Sequence, residues 1–306
     1  MIKKSEPKVS IVIVNWNGKE DTFELLESLK KISYKNFNVI VVDNNSSENI
    51  SDGFKNNYSN FATLIENKKN FGLAEGTNIG MREALRRKSD YVLVMNNDMY
   101  VEKKFLNFLV DSMERHPEVA VAGPTIYYKD PTNMIWSAGC DYKLRGFRSR
   151  YQRKIDLGNK KKGEFVDAID CVLMMRSKVL KEIGLLDSSL FIIHELTGWC
   201  LKASKKNYKM IYVPKSKVWH KVSSSLNRSR SQNIITTYYD VRNWLLVNKK
   251  NESLSYFIFI LLYQSTIIFF IRLLKYIKNK QLNLIKTHFI ATWHAITNKT
   301  PLELYS

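Results

Sequence analysis

Cysteine is scarce: the 306 residues include three, Cys140, Cys171 and Cys200, too few and too scattered for a disulfide framework or a zinc ribbon. A reducing, intracellular setting is therefore expected. No GxxxxGK[ST] occurs, which excludes a P-loop nucleotidase, and the glycines at Gly72, Gly76 and Gly80 do not follow the first apolar run as a dinucleotide fingerprint requires. The opening MIKKSEPKVSIVIVNWNG has no apolar core of signal-peptide length, so secretion is not expected. Acidic residues are short in the last third. From Trp199 to Ser306 there are 18 basic and 3 acidic residues, so +15 of the formal +19 lies there. Such a surplus calls for a polyanionic partner, either nucleic acid or an anionic membrane face. What is present, 44% hydrophobic and 25% charged residues, excludes disorder and collagen-like repeats. The length allows one large domain or two small ones, with ample apolar surface for a core.

Val9 to Val14 is a short, mostly β-branched run that reads as a strand buried on both faces and ending at Asn15-Trp16-Asn17-Gly18. Apolar residues at Phe23, Leu25, Leu26 and Leu29 give Lys19 to Lys31 a helical spacing. Phe37 to Val42 is a second strand, stopping at Asp43-Asn44-Asn45-Ser46-Ser47, and Ala62 to Ile65 a third. After Asn70-Phe71-Gly72-Leu73-Ala74-Glu75-Gly76 a helix runs to about Arg87. Tyr91 to Met95 is a fourth strand, ending at Asn96-Asn97-Asp98. This alternation predicts an α/β layer with a mostly parallel sheet. Ligands of such sheets sit beyond the carboxyl ends of the strands, so the three polar ends are expected to meet at one crevice.

From Gly123 to Gly163 the pattern reads as loops or an insertion with a basic run (Arg145, Arg148, Arg150, Arg153, Lys154, Lys160 to Lys162). Strand and helix patterns return over Val166 to Met175, Phe191 to Ala203 and Met210 to Val213, and Gln232 to Asn248 reads as a helix. Between Glu252 and Arg272 lie 19 consecutive uncharged residues, near the 20 a membrane-spanning helix needs. Gln264, Ser265 and Thr266 at the centre, with Arg272, Lys275, Lys278 and Lys280 just after, fit equally a helix lying in the membrane interface. The competing reading is a core helix of a C-terminal bundle.

Asp98, just past a buried strand, offers hard oxygen ligands suited to Mg²⁺ or Mn²⁺ held jointly with a substrate diphosphate; spacing alone favours a turn or helix-cap Asp instead. Asp43 is either an acceptor for a base or ribose or the anchor of an Asx turn. Gly72, Gly76 and Gly80, with Asn70 and Asn78, would let backbone approach a ligand. Glu195 enters an apparent helix. His220 follows a strand in a polar, aromatic setting, as a ligand or as a structural hydrogen-bonder.

VSIVIVNWNG, VIVVDNNSS, NFGLAEGTNIG, YVLVMNNDMYV and VWHKVSSS occur in order, and together resemble glycosyltransferase family 2, especially its rhamnosyltransferase-like branch. The likeness covers about residues 8 to 225, and the apolar, basic tail resembles that branch's membrane-associated C-terminus. It implies an α/β, GT-A (Rossmann-like) domain over residues 1–225, a helical, membrane-associated region over 226–306, and a nucleotide-diphospho-sugar donor. Asn96-Asn97-Asp98 falls at the family's Asp-x-Asp metal motif, which leaves Asp98 as the carboxylate for Mg²⁺ or Mn²⁺, with His220 matching a His that joins the metal in some relatives. By the same resemblance Asp43 contacts the nucleoside and Trp16 lies beside the base. Asn70 and Gly72 match a donor-binding loop; Asn15, Asn45 and Asn97 belong to the same donor-binding strand ends. The family's Glu-Asp-x-Asp is here Glu195-Leu196-Thr197-Gly198, so the usual base Asp is lost and Glu195 becomes the first candidate base, with Asp170 or Asp167 as substitutes.

The expectation is a metal-dependent inverting transfer of a sugar to a lipid-linked saccharide at the cytoplasmic face of the cell membrane, with no nucleic acid partner. Two rivals remain: a catalytically silent sugar-nucleotide-binding subunit, and a basic nucleic-acid-binding protein, the latter disfavoured by the long apolar run in the tail.

Overall fold

The computed structural model describes residues 6–144, 146–159, 162–221 and 230–299. Four apolar runs form the parallel half of a sheet: β1 (Val9–Asn15), β2 (Phe37–Asp43), β3 (Ala62–Glu66) and β4 (Tyr91–Asn96). The register sets Asn15 beside Asp43 and Val14 beside Asn96. All the polar ends therefore finish level, at one edge.

The sheet is mixed, not mostly parallel. Its main path runs β10 (Glu164–Val166), β12 (Lys209–His220), β6 (Val119–Tyr128), β11 (Val172–Arg176), β4, β1, β2, β3. β11 lies antiparallel to both β4 and β6, whereas β6 and β12 are parallel. Val172–Arg176 is as apolar as its parallel neighbours, so its composition carries no direction. The stretch expected to be loops thus begins with the end of a ten-residue central strand. Pro124 hid it, and the β6–β12 ladder shifts register between Val213 and Lys217, beside Pro124 and Pro214. There a missing N–H is tolerated. The rest of that stretch includes β7 (Ile135–Ser137) on the flank of β6 and a hairpin of β8 (Cys140–Lys143) and β9 (Gly146–Ser149). Arg145, Lys160 and Lys161 of the basic run lie outside the described residues.

Side chains alternate across the sheet. Ile11, Ile13, Val39 and Val41 face one core with α1 (Lys19–Leu29), α2 (Ser51–Tyr58) and α4 (Phe105–Arg115). Val12, Ile40 and Val42 face the other with α3 (Gly72–Arg86), α5 (Ser177–Ile183) and α6 (Glu195–Ser204). Each such aliphatic side chain, wholly buried, contributes about 1.5–3 kcal/mol. A Cβ on Gly80 would collide with Val12, so that glycine serves the approach of α3 to the sheet and not of a ligand to the backbone.

The C-terminal helices are α7 (Arg230–Asn251), α8 (Leu254–Lys278) and α9 (Asn283–Thr297). Tyr238, Tyr239, Leu245, Ile260, Ala291 and Ala295 form their core, joined by Leu190 and Leu201 from the sheet domain. The expected boundary at 225/226, and the VSSS of the last motif, lie outside the described residues. α8 contains a π-helical turn at Gln264–Ile268 and is long and apolar enough to cross a membrane by length and composition. One side, including Ile260, Gln264, Ile268 and Tyr276, is buried against the protein, while Phe259, Leu262, Phe270 and Leu274 are exposed. The helix lies along the molecule and does not project from it.

Candidate active site

The strand ends meet as expected. Asn15 is fully buried; its amide donates to Asp43 Oδ1 (2.6 Å) and Ser46 Oγ (3.0 Å), and its Oδ1 accepts from Thr22 (2.8 Å) and Asn97 (3.3 Å). Asp43 also receives the Ser46 N–H at 3.0 Å and its hydroxyl at 2.7 Å, three residues on and so one beyond an Asx turn, and these bonds hold the carboxylate at the strand end. Asn97 donates further to Gly18 O and Thr22 Oγ1, both 3.1 Å. Asn15 and Asn97 thereby tie β1, β2 and β4 together. Trp16 is 46% exposed at the rim, and Asn45, also exposed, has a φ of 62°. Asn70 Oδ1 accepts from the Gly72 N–H (2.8 Å) and from Asn44 (2.9 Å), and Gly72 has a φ of 81° that suits glycine. Asn78 exchanges two hydrogen bonds with the Leu186 backbone, both 2.9 Å, so it secures a loop.

Asp98 lies between β4 and β5 (Met99–Val101), which pairs antiparallel with the end of β12 and sets Met99 opposite His220. His220 Nε2 stands 2.9 Å from Asp98 Oδ2. Among the described residues no three His, Cys, Asp or Glu side chains are grouped for a metal. The spacing of the pair nonetheless fits a divalent cation that would take its other ligands from a diphosphate and water, since two ligands at about 2.1 Å in adjacent octahedral positions are about 3 Å apart. His220 Nδ1, across the ring from Asp98, is buried with no hydrogen-bond partner.

His220 also lines a cleft of about 760 Å³ with Asn96, Trp136, Asp170, His194 and Glu195. The ring of Trp136 stands edge-on to His220 at 4.8 Å. Glu195, in the first turn of α6, is buried and its Oε2 has no partner. Burial, reinforced by the negative charge of Asp170, pushes its carboxyl up to about 7. Burial raises Asp170 as well; one of its oxygens accepts from the Cys171 N–H at 2.9 Å. Asp167 instead is exposed and accepts from the Tyr142 N–H at 2.8 Å, which fixes the β8–β9 hairpin and leaves it no part in the cleft. Leu196 belongs to the core behind the sheet, and a Cβ on Gly198 would come within 2.9 Å of Val247 Cγ2 on α7. Both positions where the resemblance leads one to expect Asp are therefore filled by packing.

The opposite wall comes from the C-terminal helices: Asn233, Thr236, Thr237 and Asp240 on α7, and Arg272, Lys275 and Tyr276 on α8. Sequence reasoning missed this wall. Asp240 pairs with His194 at 3.3 Å and with Arg272 at 2.8 Å. Burial works against its charge, but the His194 bond and the Arg272 guanidinium outweigh it and hold the carboxyl well below the usual range. His194, with φ 70°, precedes Glu195, so this chain of contacts fixes the helix start that carries it.

Comparison with known proteins decides the family. The model for "Glycosyl transferase family 2" matches residues 10–184. The chain belongs to that family. It is 25% identical to the dTDP-rhamnosyl transferase RfbF of Shigella flexneri, over 79% of this chain and 80% of the relative. It is also 25% identical to the low-salt glycan biosynthesis hexosyltransferase Agl10 of Haloferax volcanii, over 78% of this chain and 75% of that one. Among solved structures, GalNAc-T7 with UDP, GalNAc and Mn²⁺ superposes with a TM-score of 0.63 at 15% identity, covering 81% of this chain and 49% of that chain. TarS of S. aureus gives 0.50 at 17% identity, covering 76% and 39%. The family 2 glycosyltransferase described here thus has the GT-A fold.

Proposed function

We propose that this glycosyltransferase transfers a sugar with inversion from a nucleotide-diphospho-sugar to a lipid-linked saccharide, with residues 1–225 as the transferase domain and 226–306 as a membrane-associated region. The observation that carries the reading is the single cleft in which His220, Asp170 and the unpartnered oxygen of Glu195 converge. Asp43 and Asn45 hold the nucleoside, Trp16 covers the base, Asn15 and Asn97 fix the strand ends, and Asn70 with Gly72 shapes the donor loop. Asp98 and His220 would hold Mg²⁺ or Mn²⁺, which would supply positive charge against the diphosphate. Glu195 takes the proton from the acceptor hydroxyl as its oxygen bonds to the anomeric carbon. The bond from that carbon to the diphosphate oxygen breaks, and the electron pair leaves with the nucleoside diphosphate. General-base help of this kind is typically worth ~10² to 10⁴-fold, and a base near neutrality suits it. The Mn²⁺ in the GalNAc-T7 structure is consistent with the metal, and the RfbF likeness with a deoxyhexose donor.

The apolar outer side of α8 and the +15 carried by residues 199–306 support residence at the anionic cytoplasmic face of the cell membrane. A thermal-shift panel of sugar nucleotides with and without Mn²⁺ tests the donor reading. One nucleotide sugar is expected to raise Tm with its concentration, and more so with the ion; a panel in which none does would overturn it.

A further inference from the structure

The lining of the cleft differs in burial and chemistry. Glu195 and His220 are buried, with Asp170 beside them in the lining, whereas Asn233, Lys275 and Gln281, from the C-terminal helices and the turn that joins α8 to α9, are partly or fully exposed. With about 100° between successive helical residues, Arg272 and Tyr276 mark the inward face of α8, and Phe270 and Leu274 the outward one. Lys275 falls between the two. Arg272 is already neutralised by Asp240 at 2.8 Å. Lys275 is exposed at the cleft wall, and among the described residues no carboxylate pairs with it. Immediately beyond it begins an apolar surface, with Ile271 and Leu274 exposed on α8 and Leu282 exposed just before α9. An ammonium set between a polar cleft and an apolar surface matches an amphiphile with an anionic junction.

We infer that Lys275, with Asn233 and Gln281, is a phosphate subsite for the acceptor's lipid carrier, with the saccharide reaching inward to Glu195 and the hydrocarbon leaving along the outer face of α8. The inference rests on the acceptor reading above and gives it a location. A positive charge serves a phosphate monoester or diester oxygen here as a point charge with three donors. A lipid alcohol would leave Lys275 unused, and a free phosphate would leave the adjoining apolar surface unused.

The test uses full-length protein in a neutral detergent and three probes: dodecyl phosphate, dodecanol and inorganic phosphate. Dodecyl phosphate is expected to bind at least ~10-fold more tightly than either of the others, a difference of about 1.4 kcal/mol. Lys275→Gln should abolish that preference and Lys275→Arg restore most of it. Lys278→Gln, which removes the same charge one turn on, outside the cleft wall, should leave it intact. Equal losses in the Lys275 and Lys278 variants would mean unspecific charge attraction and overturn the subsite, as would equal binding of dodecyl phosphate and dodecanol, or of dodecyl phosphate and inorganic phosphate. Nucleoside-diphosphate binding, followed in the same preparations, belongs to the opposite side of the site. A failure of the donor reading therefore registers there and a failure of the subsite in the dodecyl phosphate titration.

Discussion

His220 Nε2 and Asp98 Oδ2 face each other at 2.9 Å although 122 positions separate them in the chain. The contact exists because β5 turns back against the last residue of β12, and on the proposed function it sets an imidazole and a carboxylate together for the ion that accompanies the diphosphate.

Asp98→Ala removes the only carboxylate of that pair. Loss of charge stabilisation at a departing group commonly costs ~10²–10³-fold in rate, and turnover of the variant should fall by at least that much. The Mn²⁺-dependent part of the donor's thermal shift should vanish with it. His220→Asn, which retains a polar atom but no imidazole, should weaken the metal dependence and spare binding of the metal-free nucleotide. Isothermal titration of the nucleotide with and without Mn²⁺ reads both effects.

Glu195→Gln separates chemistry from stability. Turnover should drop ~10² to 10⁴-fold, and in the wild type kcat/KM should rise with pH through an apparent pKa near 7. The folded carboxyl is raised above the ordinary 4.5, so between those values the native state keeps a proton that the unfolded chain releases. Stability is therefore undiminished below pH 4.5, falls as pH rises, and carries the full deficit above pH 7. At about 1.4 kcal/mol per pKa unit, Gln should recover up to about 3 kcal/mol at pH 8 and little at pH 4.5. Urea unfolding at the two pH values is the measurement.

Gly198 explains both what could be read from the sequence and what could not. The strand ends at Asn15, Asp43 and Asn96 were legible because short β-branched runs stop abruptly at polar residues, and local pattern alone locates them. The loss of Asp at positions 196 and 198 was legible too, but its reason was not: Val247, 49 residues on, fills the space. The direction of β11, the strand through Pro124 and the cleft wall of Asp240, Arg272 and Lys275 share this property, since each depends on contacts far apart in sequence. Gly198→Ala should destabilise by about 1–3 kcal/mol through overpacking, and Val247→Ala should relieve most of that in the double variant. Additive losses in chemical denaturation would show that the two do not touch.

Membrane attachment is best tested without cutting the tail. Truncation after α7 would remove Ile260, Ala291 and Ala295 from the C-terminal core and Arg272 from Asp240, so a lost activity would report a damaged site. Phe270→Ser with Leu274→Ser changes only exposed positions. If those side chains enter the acyl boundary, each is worth about 1.5–3 kcal/mol, and the pair should lower partitioning onto phosphatidylglycerol-containing vesicles by ~10²-fold or more. The basic residues nearby add ~1 kcal/mol each near an anionic surface, and that share should weaken as salt shortens the screening length. Co-sedimentation at low and high salt resolves the two contributions, because the serine pair removes the salt-insensitive part alone. Full-length protein that stayed in the supernatant at low salt would take the membrane out of the mechanism and leave the outer face of α8 to another partner.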